Sequence, residues 1–219
     1  MLYYSDFLEG LNKGEKFQNG VEILIPIRGI DTKFVLLNDI QKNPVEKTII
    51  DIMSKHPIIR RIRWNPNSTE LYELKEQNQF LIYINSSIIK ELQMLTAILP
   101  EDLQKMIRIR HVNIIESVNV MTGEVVYNPV SIGKIWIPSD MEIYGRRYMS
   151  DTDPNEKQFD YFKKEENRIV YYNSKPTDYW TRSVSPFHNA VVSINKKGYA
   201  TQTCCAFIRD TVMCFRLQL

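Results

Sequence analysis

Apolar residues recur in short alternating runs along most of the chain, the pattern of half-buried strands. "VEILIPIRG" (21–29) and "TKFVLLND" (32–39) read as two strands joined by a tight connection at Gly29 to Asp31. Pro26 has no N–H to give to a ladder, which places the first run at a sheet edge or a bulge. "IIRRIRW" (58–64) predicts another strand. Its alternation puts Arg61 and Arg63 on one face, a solvated one, and Ile62 and Trp64 on the other. "ELYELKEQNQFLIYIN" carries a further strand ending near Ile84. "RIRHVNIIESVNV" and "GEVVYNP" form a two-stranded ribbon about "MTG", and "KIWIP" is a strand after it. The chain closes on four more runs, "YWTRSV", "NAVVSIN", "YATQTCCAFI" and "VMCFRLQL".

Helical spacing interrupts this pattern. "MLYYSDFLEGLNKGE" is a short helix or arm. "NPVEKTIIDIMSKHP" (43–57) reads as a helix with Asn43 as cap, Pro44 in its first turn and Ile49, Ile50 and Met53 on its apolar face. Ser86 or Ser87 caps a helix that aligns Ile88, Leu92 and Leu95. Pro100 starts another, with Glu101 and Asp102 at its positive end. Ser139 caps a helical turn, and "QFDYFKKEENR" is a short helix in a polar stretch. The predicted class is α+β, with mixed antiparallel sheets and short helices.

Composition narrows the chemistry. Of 219 residues, 43% are hydrophobic and 25% charged, enough for a core without metal or disulfide support. A net charge of +2 lacks the basic excess that nucleic-acid binding draws on. No run reaches the roughly 18 apolar residues of a membrane helix, and the N-terminus lacks the charged start and apolar stretch of a signal peptide. Membrane insertion is not expected, and synthesis is expected in the cytoplasm. Cys204, Cys205 and Cys214 are odd in number and show no pairing framework, which suits a reducing compartment. His56, His111 and His188 have no partner at metal-ligand spacing. "SDTDPNE" lacks the Gly and the closing Glu of a calcium loop. No phosphate-cradling glycine loop or nucleophile elbow occurs. No cofactor, metal or catalytic residue is expected. Trp136, Trp180 and Arg182 are assigned to the core, where the Arg182 charge requires paired acceptors.

The motif order "SSIIKELQMLTAILPEDLQKMIR", "GKIWIPSDMEIYG", "EKQFDYFKKEENRIVYY", "DYWTRS", "NAVVSINKKGYATQ" and "VMCFRLQL" resembles a bacterial and bacteriophage domain family. That family has a C-type-lectin-like fold, akin to the formylglycine-generating enzymes and the variable proteins of diversity-generating retroelements. The resemblance spans residues 85–219, and Trp136, Pro138, Ser139, Trp180, Arg182 and Ser183 carry it most specifically. Thr181 stands where the family has Leu, and Thr211, Val212 and Met213 replace its closing Val-Arg-Pro.

The resemblance implies a lectin-like domain over 85–219, preceded by a small β/α region over 1–84 that serves assembly or forms the first half of the fold. It also implies an exposed face built by the loops after the Trp180 strand. "SVSPFHN" and "KKGYATQT" are rich in the Ser, Asn, Tyr and Thr that binding loops use. The expected ligand- or partner-facing residues are therefore Tyr179, Thr181, Ser185, Phe187, His188, Asn189, Tyr199, Thr201 and Gln202. The expected function is that of a non-enzymatic virion protein of a phage tail, baseplate or surface fibre, made in the host cytoplasm. Its partners would be other virion proteins in an oligomeric assembly and a cell-surface glycan or protein. One alternative is a bacterial cytoplasmic binding module for peptide or carbohydrate. Another is a formylglycine-type catalyst using Cys204 or Cys205, although this pair lacks the spacing of that enzyme's cysteines.

Overall fold

The computed structural model describes residues 1–40, 48–66, 82–118, 121–122, 125–148, 150, 153, 155–185 and 190–218. The chain opens with β1 (Leu2–Tyr3) and α1 (Tyr4–Asn12), then β2 (Glu22–Ile27), β3 (Ile30–Leu36), β4 (Ile49–Ser54) and β5 (Ile59–Arg63). Helices α2 (Ile82–Asn85), α3 (Ser87–Met94) and α4 (Glu101–Met106) follow. The short β6 (Ile107–Arg108) leads into a ribbon of β7 (Arg110–Val118) and β8 (Val125–Gly133), then β9 (Ile135–Trp136) and α5 (Asp140–Tyr144). Two 3-10 turns, Asp160–Lys163 and Glu165–Arg168, precede a small hairpin of β10 (Val170–Tyr172) and β11 (Lys175–Thr177). The last five strands are β12 (Tyr179–Val184), β13 (Ala190–Ile194), β14 (Ala200–Cys204), β15 (Ile208–Thr211) and β16 (Cys214–Gln218).

The architecture is α+β, mostly sheet with few short helices. One sheet has seven strands, in the order β1-β2-β3-β4-β16-β6 with β9 also on β16. The other has five, in the order β14-β13-β12-β15-β5. β4 pairs antiparallel with β16 from Ile49↔Gln218 to Met53↔Cys214, and β5 pairs with β15. Both sheets therefore draw strands from residues 1–84 and from residues 85–219, and the boundary at 84 runs through each of them. All three tryptophans, Trp64, Trp136 and Trp180, are fully buried in the core.

Local sequence accounts for much of this. In β2, Ile23, Ile25 and Ile27 face inward while Glu22, Leu24 and Pro26 are half-buried. The turn to β3 is Arg28–Gly29, both at positive φ, one residue earlier than the sequence suggested. This geometry matches the twist of a two-residue hairpin. β1 covers only Ile23 and Leu24, so β2 is open on that flank at Pro26.

Three expectations are corrected. Residues 49–54 form a strand rather than the C-terminal half of a helix. β4 lies between β3 and β16, and five of its six residues are buried. A short run of buried apolar residues looks the same in a central strand and in a core helix. Asn43 and Pro44 lie outside the described residues. Second, the run expected as a strand ending near Ile84 ends as the helical turn α2. Third, "YATQTCCAFI" divides into β14 and β15. The β10–β11 hairpin, absent from the sequence reading, turns at Asn173 and Ser174, both at positive φ.

Candidate functional site

The two most specific motifs of the sequence meet at one buried ionic node. α5 starts with a reciprocal cap: the Ser139 hydroxyl accepts from the Glu142 N–H at 3.1 Å, and the Glu142 carboxylate accepts from the Ser139 N–H at 2.9 Å. The same carboxylate pairs with Arg110 of β7 and Arg182 of β12. Arg182 also reaches Glu156 and the carbonyl of Ile137, the latter at 3.2 Å. The Arg110 guanidinium lies 3.9 Å from the Trp136 ring centroid. Two cations and two carboxylates cancel, so the interior holds no net charge from them. Burial opposes ionisation of Glu142, but the two guanidiniums outweigh it and hold the carboxyl below its usual range. For Glu156 burial dominates over Arg182, the Glu142 charge adds to it, and the carboxyl is pushed up.

Neighbouring bonds lock this node to the sheets. The Ser183 hydroxyl donates to Asp140 at 2.8 Å, and the Arg182 N–H donates to the Pro138 carbonyl at 3.1 Å. The indoles of Trp180 and Trp64 donate across to Ile62 and Thr181 carbonyls, each at 3.0 Å. These bonds clamp β12 to β5.

Several residues expected at a binding surface are inside instead. Tyr179, Thr181 and Ser185 are buried. The Tyr179 hydroxyl donates to the Arg168 carbonyl at 3.0 Å and the Thr181 hydroxyl to the Val192 carbonyl at 2.6 Å. β12 sits between β13 and β15 and all six of its residues are buried, so it has no open face. Phe187, His188 and Asn189 lie outside the described residues. Tyr199 and Gln202 are exposed on the β13–β14 hairpin, while Thr201 is half-buried and bonds to Ser193. Trp136, Trp180 and Arg182 lie in the core. Cys205 and Cys214 are buried and Cys204 is half-buried, and none of the three is in a disulfide. Burial pushes the Cys214 thiol up, the opposite of a reactive thiolate.

A cleft of about 560 Å³ with mixed polar and apolar walls opens elsewhere, where the end of β4 faces the β10–β11 hairpin and the second 3-10 turn. Lys33, Lys55, His56, Tyr161, Glu166 and Tyr171 line it. Both lysines pair with Glu22, whose carboxyl Lys55 holds below its usual range. His56 Nδ1 is 2.8 Å from the Tyr171 carbonyl, which fixes the hairpin to the β4–β5 turn. Tyr161 is only 6% exposed. Burial, with Glu22 and Glu166 nearby, pushes its phenol up to about 12. The cleft was not legible in the sequence, because its residues come from segments more than a hundred positions apart and share no spacing.

Among the described residues no group of three or more His, Cys, Asp or Glu is placed to hold a metal, and no helix is long and apolar enough to cross a membrane. Comparison with protein-family models, curated proteins and solved structures gave no match to this chain.

Proposed function

We propose that this chain is a non-enzymatic structural and binding protein of a bacteriophage virion, with a C-type-lectin-like fold, in a tail, baseplate or surface fibre. The β7–β8 ribbon is the observation that carries this reading. Its two nine-residue strands form a sheet of their own, outside both main sheets. Two strands alone are marginally stable in water. This ribbon also exposes Val126 and, at its tip, Met121. Such an element gains stability when a neighbouring subunit covers it. The fold reading draws on the junction of Ser139, Glu142, Arg182 and Ser183, which joins the "WIPSD" and "WTRS" motifs in one node.

Two measurements test the proposal. Mass spectrometry of purified virions is expected to find the chain as a stoichiometric component, and its absence would reject the reading. Replacing residues 115–127 with a two-residue Asn-Gly turn, which joins the partners Ile114 and Asn128, is expected to preserve the circular dichroism spectrum and abolish incorporation into particles. Normal incorporation of the shortened chain would remove the ribbon from any role in assembly.

A further inference from the structure

The cleft beside His56 has a chemistry that the proposed assembly role does not use. Its lysines are already answered: Lys33 and Lys55 both pair with Glu22, beside the cleft, and Glu166 in the wall adds a second carboxylate. A cancelled charge set offers little to an inorganic anion or a metal cation, whose binding depends on net field. What remains is a set of donors and acceptors beside the apolar Met53, Ile169 and Val170: two ammoniums, a carboxylate, an imidazole, an amide, a hydroxyl and two phenols. A vicinal diol satisfies such a set, because each hydroxyl donates and accepts at once.

Two further features favour a ring-shaped polyol. Tyr161 is more than nine-tenths buried, lines the cleft, and its hydroxyl makes no hydrogen bond to any described residue. That hydroxyl is not one of the sealed, unpartnered polar atoms of the interior, so its oxygen opens to the cleft, where a ligand can reach it. Tyr171 lines the same cleft and is 42% exposed, which leaves ring surface for the C–H side of a pyranose. The walls are also fixed before any ligand arrives. His56 binds the Tyr171 carbonyl, Arg60 stacks on Tyr172 with its guanidinium 3.5 Å from the ring centroid, and Thr177 donates to Asp210 at 2.6 Å. Preorganised walls reduce the ordering cost of binding. The volume falls in the usual range for small-molecule sites and fits about one or two sugar rings.

We propose that this cleft binds a neutral saccharide, with the Tyr161 hydroxyl and the Lys55, His56 and Glu166 side chains holding ring hydroxyls and Tyr171 covering a ring face. The proposal extends the host-surface part of the reading above and rests on it only for biological context. The test is titration of the ¹⁵N-labelled full chain, followed by NMR, with the methyl glycosides of glucose, galactose, mannose and N-acetylglucosamine. Glucuronate and inorganic phosphate serve as charged comparators. At millimolar concentrations at least one neutral glycoside should shift the Lys55, His56 and Tyr171 amides. Tyr161→Phe, which keeps the ring, should weaken it about tenfold, the worth of one hydrogen bond. Tyr171→Ala, at an exposed position, should weaken it as well. No shift with any neutral glycoside, stronger binding of phosphate or glucuronate, or undiminished binding by both variants would overturn the assignment. A chain that is found in virions yet binds none of the sugars would refute the saccharide site and leave the assembly reading intact. A chain that binds sugar but is missing from virions would do the reverse.

Discussion

At Glu142 a single carboxylate answers two guanidiniums and a helix cap. Removing its charge leaves Arg110 and Arg182 buried with one carboxylate between them. Glu142→Gln is therefore expected to cost about 3–5 kcal/mol, the range for breaking a buried ion pair. Glu156→Gln should cost much less, since burial already disfavours the charge it removes. The two residues also act oppositely with pH. Glu142 is lowered in the folded state, so its stabilisation is complete above about 4.3, the ordinary carboxylate value. It is lost as pH falls through the lowered value. Glu156 is raised, so its contribution is greatest below that ordinary value and wanes as pH rises through the folded one. Urea denaturation across pH should show the acid limb of the stability profile flattened by Glu142→Gln and left in place by Glu156→Gln. A flattening of equal size in both would mean that Glu142 does not carry the node.

Among the elements, the junction of β8 and β9 depends on one glycine. Gly133 has a φ of 89°, and a Cβ there would strike the Gln93 side chain. That amide donates to the Ile135 carbonyl at 2.6 Å and accepts from the Lys134 N–H at 3.0 Å, clipping the strand junction to α3. Gly133→Ala should cost about 1–3 kcal/mol in thermal or urea unfolding, as forced backbone conformations do. A neutral result would show that Gln93 yields freely. Elements of this kind were only partly legible in the sequence. The Ser139 cap, α3 with Ile88 and Leu92 inward, the ribbon and the β2–β3 hairpin follow from spacing and turn residues. β4 and the burial of β12 do not, because both depend on which strands flank them. Tyr179 and Thr181 look half-exposed by alternation, yet all six residues of β12 are buried in its place between β13 and β15. The cleft at Tyr161 was illegible for the same reason: its neighbours are set by pairing rather than by spacing.

For the molecule as a whole, the sharing of strands between residues 1–84 and the remainder predicts that neither part is autonomous. A fragment of residues 1–84 should give a collapsed, poorly dispersed amide NMR spectrum, whereas a folded spectrum would show that β1–β4 suffice for a core. The bidentate pair between Asp51 and Arg216, at 2.7 and 2.8 Å, joins positions 165 apart in the chain. Contacts that distant delay folding, because the loop between them must close before they form. Until β16 arrives, β4 has an unpaired, apolar edge in the middle of what will become the larger sheet. During that interval intermolecular strand capture competes with native closure, so refolding yield should fall steeply with protein concentration while the mature form, its central gap filled, stays free of that hazard.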